Sequence, residues 1–190
     1  MNRLAEFVYT VATSSNRQKT GLIIFGIFLW YGGVAIMVGI SPLIDDLFIF
    51  NLFIPVTLKL ILGAVLLIPG VPLVAWSITQ CFRSQGTPVP FKPPPGLMTT
   101  GIYGAVRNPM HLGWTLVLYG LAVLMQSFTL LFIFMPLFIL VHILYIKQIE
   151  EKELEKKFGQ AYLDYKKQVP MWFPRLENSQ HYDKQQGKTT

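Results

Sequence analysis

Two polar stretches stand at the ends of apolar runs in this sequence. They are Gly101-Ile102-Tyr103-Gly104-Ala105-Val106-Arg107-Asn108-Pro109-Met110-His111, and Glu150-Glu151-Lys152-Glu153-Leu154 continuing to Phe158-Gly159 and Tyr162. Ionisable groups at membrane depth are costly, so in an apolar chain they mark a functional site by default. Arg107 can snorkel to headgroups or clamp a carboxylate through two hydrogen bonds, and free helix-start amides beside it make an anion site. Glu150 and Glu151 offer acceptors for hydroxyl or amino groups, and Tyr103 offers a ring face to a cation. Together these groups suit a zwitterionic ligand with hydroxyls and a positive centre. Asn108 and Pro109 also have a purely structural reading, as the N-cap and first residue of a helix. His111 and His142, each on an apolar helix, read as packed histidines, and no metal site is expected. No HExxH, cysteine pair, Ser-His-Asp set or phosphate-binding glycine loop is present.

The elements that must position these groups are membrane helices. Of 190 residues 52% are hydrophobic and only 14% charged, against about a quarter charged in a soluble domain; the mean hydropathy is +0.45. A membrane-crossing helix needs roughly 20 apolar residues, and four runs qualify: Gly21 to Ile40, Pro55 to Cys81, a short one from His111 to Gln126, and Phe128 to Ile146. The predicted fold is therefore all-α and integral to the membrane, with four spans and a cytosolic amphipathic C-terminal helix. Residues 1–20 carry Leu4, Phe7, Val8 and Val11 at helical spacing and read as an interfacial segment rather than a cleaved signal. The single cysteine, Cys81, excludes an intrachain disulfide.

The net charge of +6 is distributed as topology, not as a nucleic-acid footprint. Arg3, Arg17 and Lys19 precede the first span, Arg83, Lys92 and Arg107 lie between the second and third, and the connection between the first two carries only Asp45 and Asp46. Counting Lys and Arg places both termini, the 82–110 loop and the active site in the cytoplasm.

Gln126-Ser127 leaves room only for a tight helical hairpin. Pro69 and Pro72 are expected to kink or locally unwind the second span, and Gly21, Gly26, Gly32, Gly33 and Gly39 to give the first span surfaces for close helix contact. The 82–110 loop is proline-rich and stiff, reading as a connector or the wall of a pocket. His142, Ile146, Glu150, Leu154 and Phe158 recur every fourth residue, so Glu150 falls on an apolar stripe while Lys152, Glu153, Lys156 and Lys157 form a solvated face. Tyr162, Tyr165, Val169, Trp172 and Phe173 make an aromatic tail, and 176–190 read as disordered. The organisation is thus 1–20 interfacial, 21–81 two spans, 82–110 loop, 111–175 hairpin plus C-terminal helix, and 176–190 tail.

Several of these words carry a resemblance: Leu97-Met98-Thr99-Thr100-Gly101-Ile102-Tyr103, Val106-Arg107-Asn108-Pro109-Met110 with Gly113, and Glu150-Glu151 with Leu154, Phe158-Gly159, Tyr162, Tyr165 and Val169-Pro170. In this order the sequence resembles the isoprenylcysteine carboxyl methyltransferases and the related bacterial, archaeal and phospholipid membrane methyltransferases. The resemblance covers roughly residues 85 to 175. It implies an S-adenosylmethionine-dependent methyltransferase without a Rossmann domain, its cofactor held by Gly96, Leu97, Met98, Tyr103, Asn108, Pro109, Met110, His111 and Glu150. Arg107, Glu150 and Glu151 are the candidate catalytic residues, and Glu150, Glu151 and His111 are candidate bases if the acceptor must lose a proton. Two departures bear on the acceptor. The family's Arg-His-Pro-x-Tyr reads Arg107-Asn108-Pro109-Met110-His111 here, and Ile146 stands where prenylcysteine enzymes carry a substrate-binding arginine. The expected partner is a lipophilic methyl acceptor entering from the bilayer: a small molecule, a lipid or a prenylcysteine-like compound, the last disfavoured by Ile146. The competing readings are an NADPH-dependent membrane reductase related to sterol reductases, and a transport or non-catalytic protein of the same fold.

Overall fold

The computed structural model describes residues 16–50, 52–85 and 95–173. The interfacial stretch before residue 16, the centre of the proline-rich loop at 86–94 and the polar tail 176–190 lie outside them. Among the described residues every regular element is helical: α1 (Asn16–Phe48), α2 (Val56–Arg83), the single turn α3 (Ile102–Ala105) and α4 (Pro109–Met125). A long rod follows, made of a π-helical stretch π1 (Thr129–Phe134), α5 (Met135–Tyr145), a second π-helical stretch π2 (Ile146–Glu150) and α6 (Glu151–Phe158), and α7 (Gln160–Gln168) closes the order. Hydrocarbon offers the backbone no partner, so apolar runs of this length close their own hydrogen bonds as helices.

Among the described residues, three stretches are long and apolar enough to cross a membrane: Trp30–Phe48, Val56–Arg83 and Thr129–Phe158. Pro109–Met125 is a shorter apolar helix of 17 residues, at the lower limit of spanning length. The first helix runs past the expected end at Ile40, carrying Pro42 within it, as far as Phe48. The second passes Pro69 and Pro72 without interruption, so the local unwinding expected there is absent.

The largest interface joins α2 to α4, and glycine makes it possible. A Cβ at Gly63 would stand 2.6 Å from Leu124, at Gly113 2.8 Å from Val74 and 2.9 Å from that residue's backbone nitrogen, and at Gly120 2.9 Å from Leu67. Small residues let helices approach this closely where lipid gives no hydrophobic drive to associate. The same role expected of the first span is not found at Gly32, Gly33 and Gly39, which have nothing within 4 Å of a Cβ position; Gly21 and Gly26 lie outside the described side chains.

At the hairpin end Gln126 adopts the left-handed conformation, with φ 55° and ψ 32°, and its amide donates to the Ile54 carbonyl at 2.6 Å. Asp45 of α1 reaches the same turn. Its carboxylate accepts from Ser127 Oγ at 2.5 Å and from the Thr129 backbone N–H at 2.8 Å, while Ser127 Oγ accepts from the Leu130 N–H. One acidic side chain thus satisfies helix-start donors and ties the first helix to the rod.

Gly113→Ala is expected to lower the thermal midpoint in detergent, because overpacking against α2 costs about 1–3 kcal/mol. Gly33→Ala, which fills open space in a helix, is expected to leave it unchanged or raise it by the roughly 0.5–1 kcal/mol that glycine costs there. Circular-dichroism melts of the two variants check the contrast.

Candidate functional site

Arg107 sits in the short link between α3 and α4, and three segments meet on it. Its Nη1 donates to Glu151 Oε1 at 2.5 Å and to the Tyr162 hydroxyl at 3.2 Å, and its Nε donates to the Val169 carbonyl at 3.0 Å. Only 10% of the Arg107 side chain and 6% of that of Glu151 is exposed. The second Glu151 oxygen takes Lys166 Nζ at 2.6 Å, and Lys166 also reaches Glu155 at 2.9 Å. Burial opposes the charge on Lys166, yet its hydrogen bonds to Glu151 and Glu155 prevail and raise its pKa. Burial, reinforced by Glu151, keeps the Tyr162 hydroxyl protonated well above its ordinary range. The backbone repeats the junction: Arg107 N–H donates to the Pro170 carbonyl at 2.9 Å and Asn108 N–H to that of Met171 at 3.2 Å. Arg107 does clamp a carboxylate, and that carboxylate is Glu151.

This convergence depends on π2. The stripe of every fourth residue presumes an unbroken α-helix, whereas a π turn holds an extra residue and sets those after it back by roughly 100°. Glu151 and Glu153 are consequently both buried, at 5% and 6% exposure. Glu153 was expected on the solvated face, and Glu150 was expected to be the inward carboxylate in place of Glu151; the turn instead buries Glu151 and Glu153, while Glu150 keeps a buried carboxylate oxygen as expected. Gly159 then bends the chain with φ 55° and ψ −128°, a region open essentially to glycine alone. The bend folds α7 back so that Tyr162, Tyr165 and Val169 pack with Leu154, Phe158 and Leu97. Tyr165 finishes the closure by donating to the Tyr103 carbonyl at 2.6 Å.

Beside this junction lies a recess of about 270 Å³ lined by Gln80, Ser84, Gly96, Leu97, Met98, Thr99 and Thr100. Gln80 Nε2 donates to the Thr100 carbonyl at 3.1 Å, which assigns the other end of the amide as oxygen. Gly101, at φ 61°, lets the chain turn directly over that amide, 3.4 Å from where its Cβ would be. Two buried acceptors near this end of the molecule have no partner: Gln80 Oε1 and Glu150 Oε2. Burial raises the pKa of the Tyr103 hydroxyl, and neighbouring Cys81 and Glu150 raise it further, which brings Tyr103, Cys81 and Glu150 into one electrostatic neighbourhood.

The expected site residues therefore fall into groups. Gly96, Leu97 and Met98 line the recess, and Tyr103 and Glu150 share a field with Cys81, the residue that follows Gln80 in α2. Arg107 and Glu151 form the clamp. Asn108, Pro109, Met110 and His111 open α4 and do not line the recess. Asn108 holds the N-cap position without making a side-chain capping bond, so its expected capping role is corrected; its backbone is engaged by Met171 instead. His111 packs against Trp30 and His142, with ring centroids 6.0 and 5.4 Å away. Gln80 and Trp172, whose indole N–H is also buried without a partner, were not singled out as site residues. A polar amide near the end of an apolar span was the available signal for Gln80.

The family described as phospholipid methyltransferase matches over residues 58–161, more than half of the chain. The chain belongs to that family. It is 34% identical over 92 residues to a methanethiol S-methyltransferase of Crocosphaera subtropica, covering 48% of this chain and 32% of the relative. It is 35% identical over 75 residues to methanethiol S-methyltransferase 2 of Bradyrhizobium diazoefficiens, covering 40% of this chain and 27% of the relative. The matches thus span about a third or less of the curated relatives' length. As a phospholipid methyltransferase family member, the chain has its matched segment running from the start of α2 to the start of α7. It contains the recess, Arg107, Glu150 and Glu151, but not the first span or the partners Tyr162 and Lys166.

Arg107→Ala is expected to cost about 3 kcal/mol, as removal of one partner from a buried pair does, and to expose the chain beyond Gly159 to limited proteolysis. Because the damage comes from stranding a carboxylate, Arg107→Met with Glu151→Gln is expected to be less destabilised than the sum of the single changes. Melting curves for the four forms check this.

Proposed function

We propose that the protein is an S-adenosylmethionine-dependent methyltransferase working at the membrane surface on a lipophilic acceptor that enters from the bilayer. The observation that carries this reading is a recess walled by Gly96, Leu97 and Met98 whose lining includes a partnerless buried acceptor, Gln80 Oε1; Glu150 Oε2 is a second such acceptor, in the field of Cys81, the residue after Gln80. A buried acceptor left unpaired is costly, and the cofactor's amino groups and ribose hydroxyls are the complementary donors. Its sulfonium is favoured by the nearby carboxylate. When bound, the cofactor supplies an electrophilic methyl group.

The residues of the chain have the task of binding and orientation, which can contribute up to about 7–11 kcal/mol when the reacting groups are aligned. Gln80 and Glu150 hold the ligand's donors. Arg107 and Glu151 act as positioning residues: they hold α7 and the loop before α4 against the rod and so fix where Glu150 stands. The distribution of Lys and Arg puts this end of the helices on the cytoplasmic side, where a water-soluble cofactor meets an acceptor dissolved in lipid. The acceptor is a small lipophilic thiol, the class named for the two relatives. A phospholipid, the class in the family's description, is the second reading.

Calorimetric titration of purified protein with S-adenosylhomocysteine tests the site. The wild type is expected to bind, and Glu150→Gln and Gln80→Ala to weaken binding about tenfold or more, since hydrogen bonds involving a charged group are worth about 1.5–3 kcal/mol. Undiminished affinity in both variants would remove the basis of the assignment. Binding of NADPH in place of the homocysteine ligand would favour the reductase reading.

A further inference from the structure

A second polar cluster lies deeper in the helices and contributes nothing to the lining of the recess. His142 of α5 is packed by Trp30 of α1 at 4.5 Å and by Phe138 at 4.0 Å between ring centroids, with His111 of α4 at 5.4 Å. Both histidines are buried, at 6% and 8% exposure. His142 Nδ1 lies 2.6 Å from the Phe138 carbonyl oxygen. A carbonyl can only accept, so Nδ1 carries the hydrogen, and in the neutral ring Nε2 presents a bare lone pair. Among the described residues, that carbonyl is the one hydrogen-bond partner of the ring.

The cluster also has a suitable position. His142 and Glu150 lie on the same rod, roughly two helical turns and about 12 Å apart, with His142 on the hydrocarbon side. His111 opens α4 about one turn beyond Arg107, so the two imidazoles lie between the apolar interior and the polar end. Trp30, which completes the cluster, comes from outside the segment that matches the family.

Resting on the function proposed above, we infer that His142, backed by His111, accepts the proton of the thiol acceptor, with Trp30 and Phe138 forming the apolar wall beside its sulfur. The S–H bond breaks, its proton passes to His142 Nε2, and the electron pair left on sulfur forms the new bond to the methyl carbon. The methyl–sulfonium bond breaks with its electrons going to the departing sulfur, which becomes a neutral thioether. The positive charge lost there reappears on the imidazolium, which releases its proton to water as product leaves.

The test compares two acceptors of different acidity, 1-octanethiol and pentafluorothiophenol, the second already ionised at neutral pH. His142→Gln keeps an N–H for the Phe138 carbonyl but cannot take a proton. It is expected to lower kcat for octanethiol about 100-fold or more, the usual contribution of a general base, and to stay within about threefold of wild type for the fluorinated thiol. Its affinity for S-adenosylhomocysteine, measured by calorimetry, stays at the wild-type value and certifies the fold; His142→Asn serves if the glutamine variant does not bind. An equal fall on both thiols, or no fall on octanethiol, overturns the inference while leaving the cofactor site intact. A wild type that binds S-adenosylhomocysteine but methylates neither thiol refutes the thiol reading itself, and this inference with it.

Discussion

A guanidinium withdrawn from water has to be surrounded by acceptors, and the arrangement of this molecule around Arg107 follows from that requirement. Glu151, the Tyr162 hydroxyl and the Val169 carbonyl supply those acceptors, and they come from the rod, the last helix and the segment after it. None of the three is near Arg107 in sequence. Satisfying one buried charge therefore closes the C-terminal segment over the start of α4 and makes a single body of parts that composition alone would leave as a loop and an amphipathic tail. An isolated buried ion pair is weak evidence of stability, because desolvation offsets the attraction. The gain here is in geometry: a group with fixed directions admits few alternative dockings.

The clamp works only because the rod is not a regular helix. Two π-helical stretches interrupt it, and the second immediately precedes Glu151. Such turns are less favourable than α-helix and recur at functional sites. Their effect here is to send adjacent glutamates to different tasks, with Glu151 given to Arg107 and Lys166 while Glu150 retains an oxygen without a partner. In a regular helix neighbouring side chains also diverge by roughly 100°, but the face reached by Glu153 would then be the solvated one. The π turn converts a surface pattern into a buried one without changing its residues.

Much of the fold was legible because hydrocarbon restricts the choices. Uninterrupted apolar runs can only be helices, and the Gln126-Ser127 hairpin followed from the absence of chain to make anything longer. The glycines read as contact residues were those of the first span, yet Gly33 and Gly39 meet nothing while Gly113 and Gly120, not read so, meet α2, because spacing alone carries no information about the partner. Arg107, Glu150 and Glu151 stood out because charge is expensive in such a chain. That Arg107 and Glu151 would find each other was hidden, since it depends on a π turn for which the sequence has no distinct signature. Gln80 was missed for a related reason, as an amide on an apolar helix acquires meaning only when the Thr100 carbonyl takes one end of it and leaves the other free.

The extent of the family match separates two kinds of constraint. Residues 58–161 contain the α2–α4 interface and the unpartnered oxygens of Gln80 and Glu150. Trp30 and Asp45 lie before that stretch, yet one packs on His142 and the other ties the hairpin turn to the first helix. A first span tethered at its far end by Asp45 holds Trp30 at a fixed depth against the histidines, so replacing that span changes the wall facing the bilayer without moving Gln80 or Glu150. Under the function proposed above, the first span then contributes to the wall that faces the acceptor, while Gln80 and Glu150 hold the methyl donor.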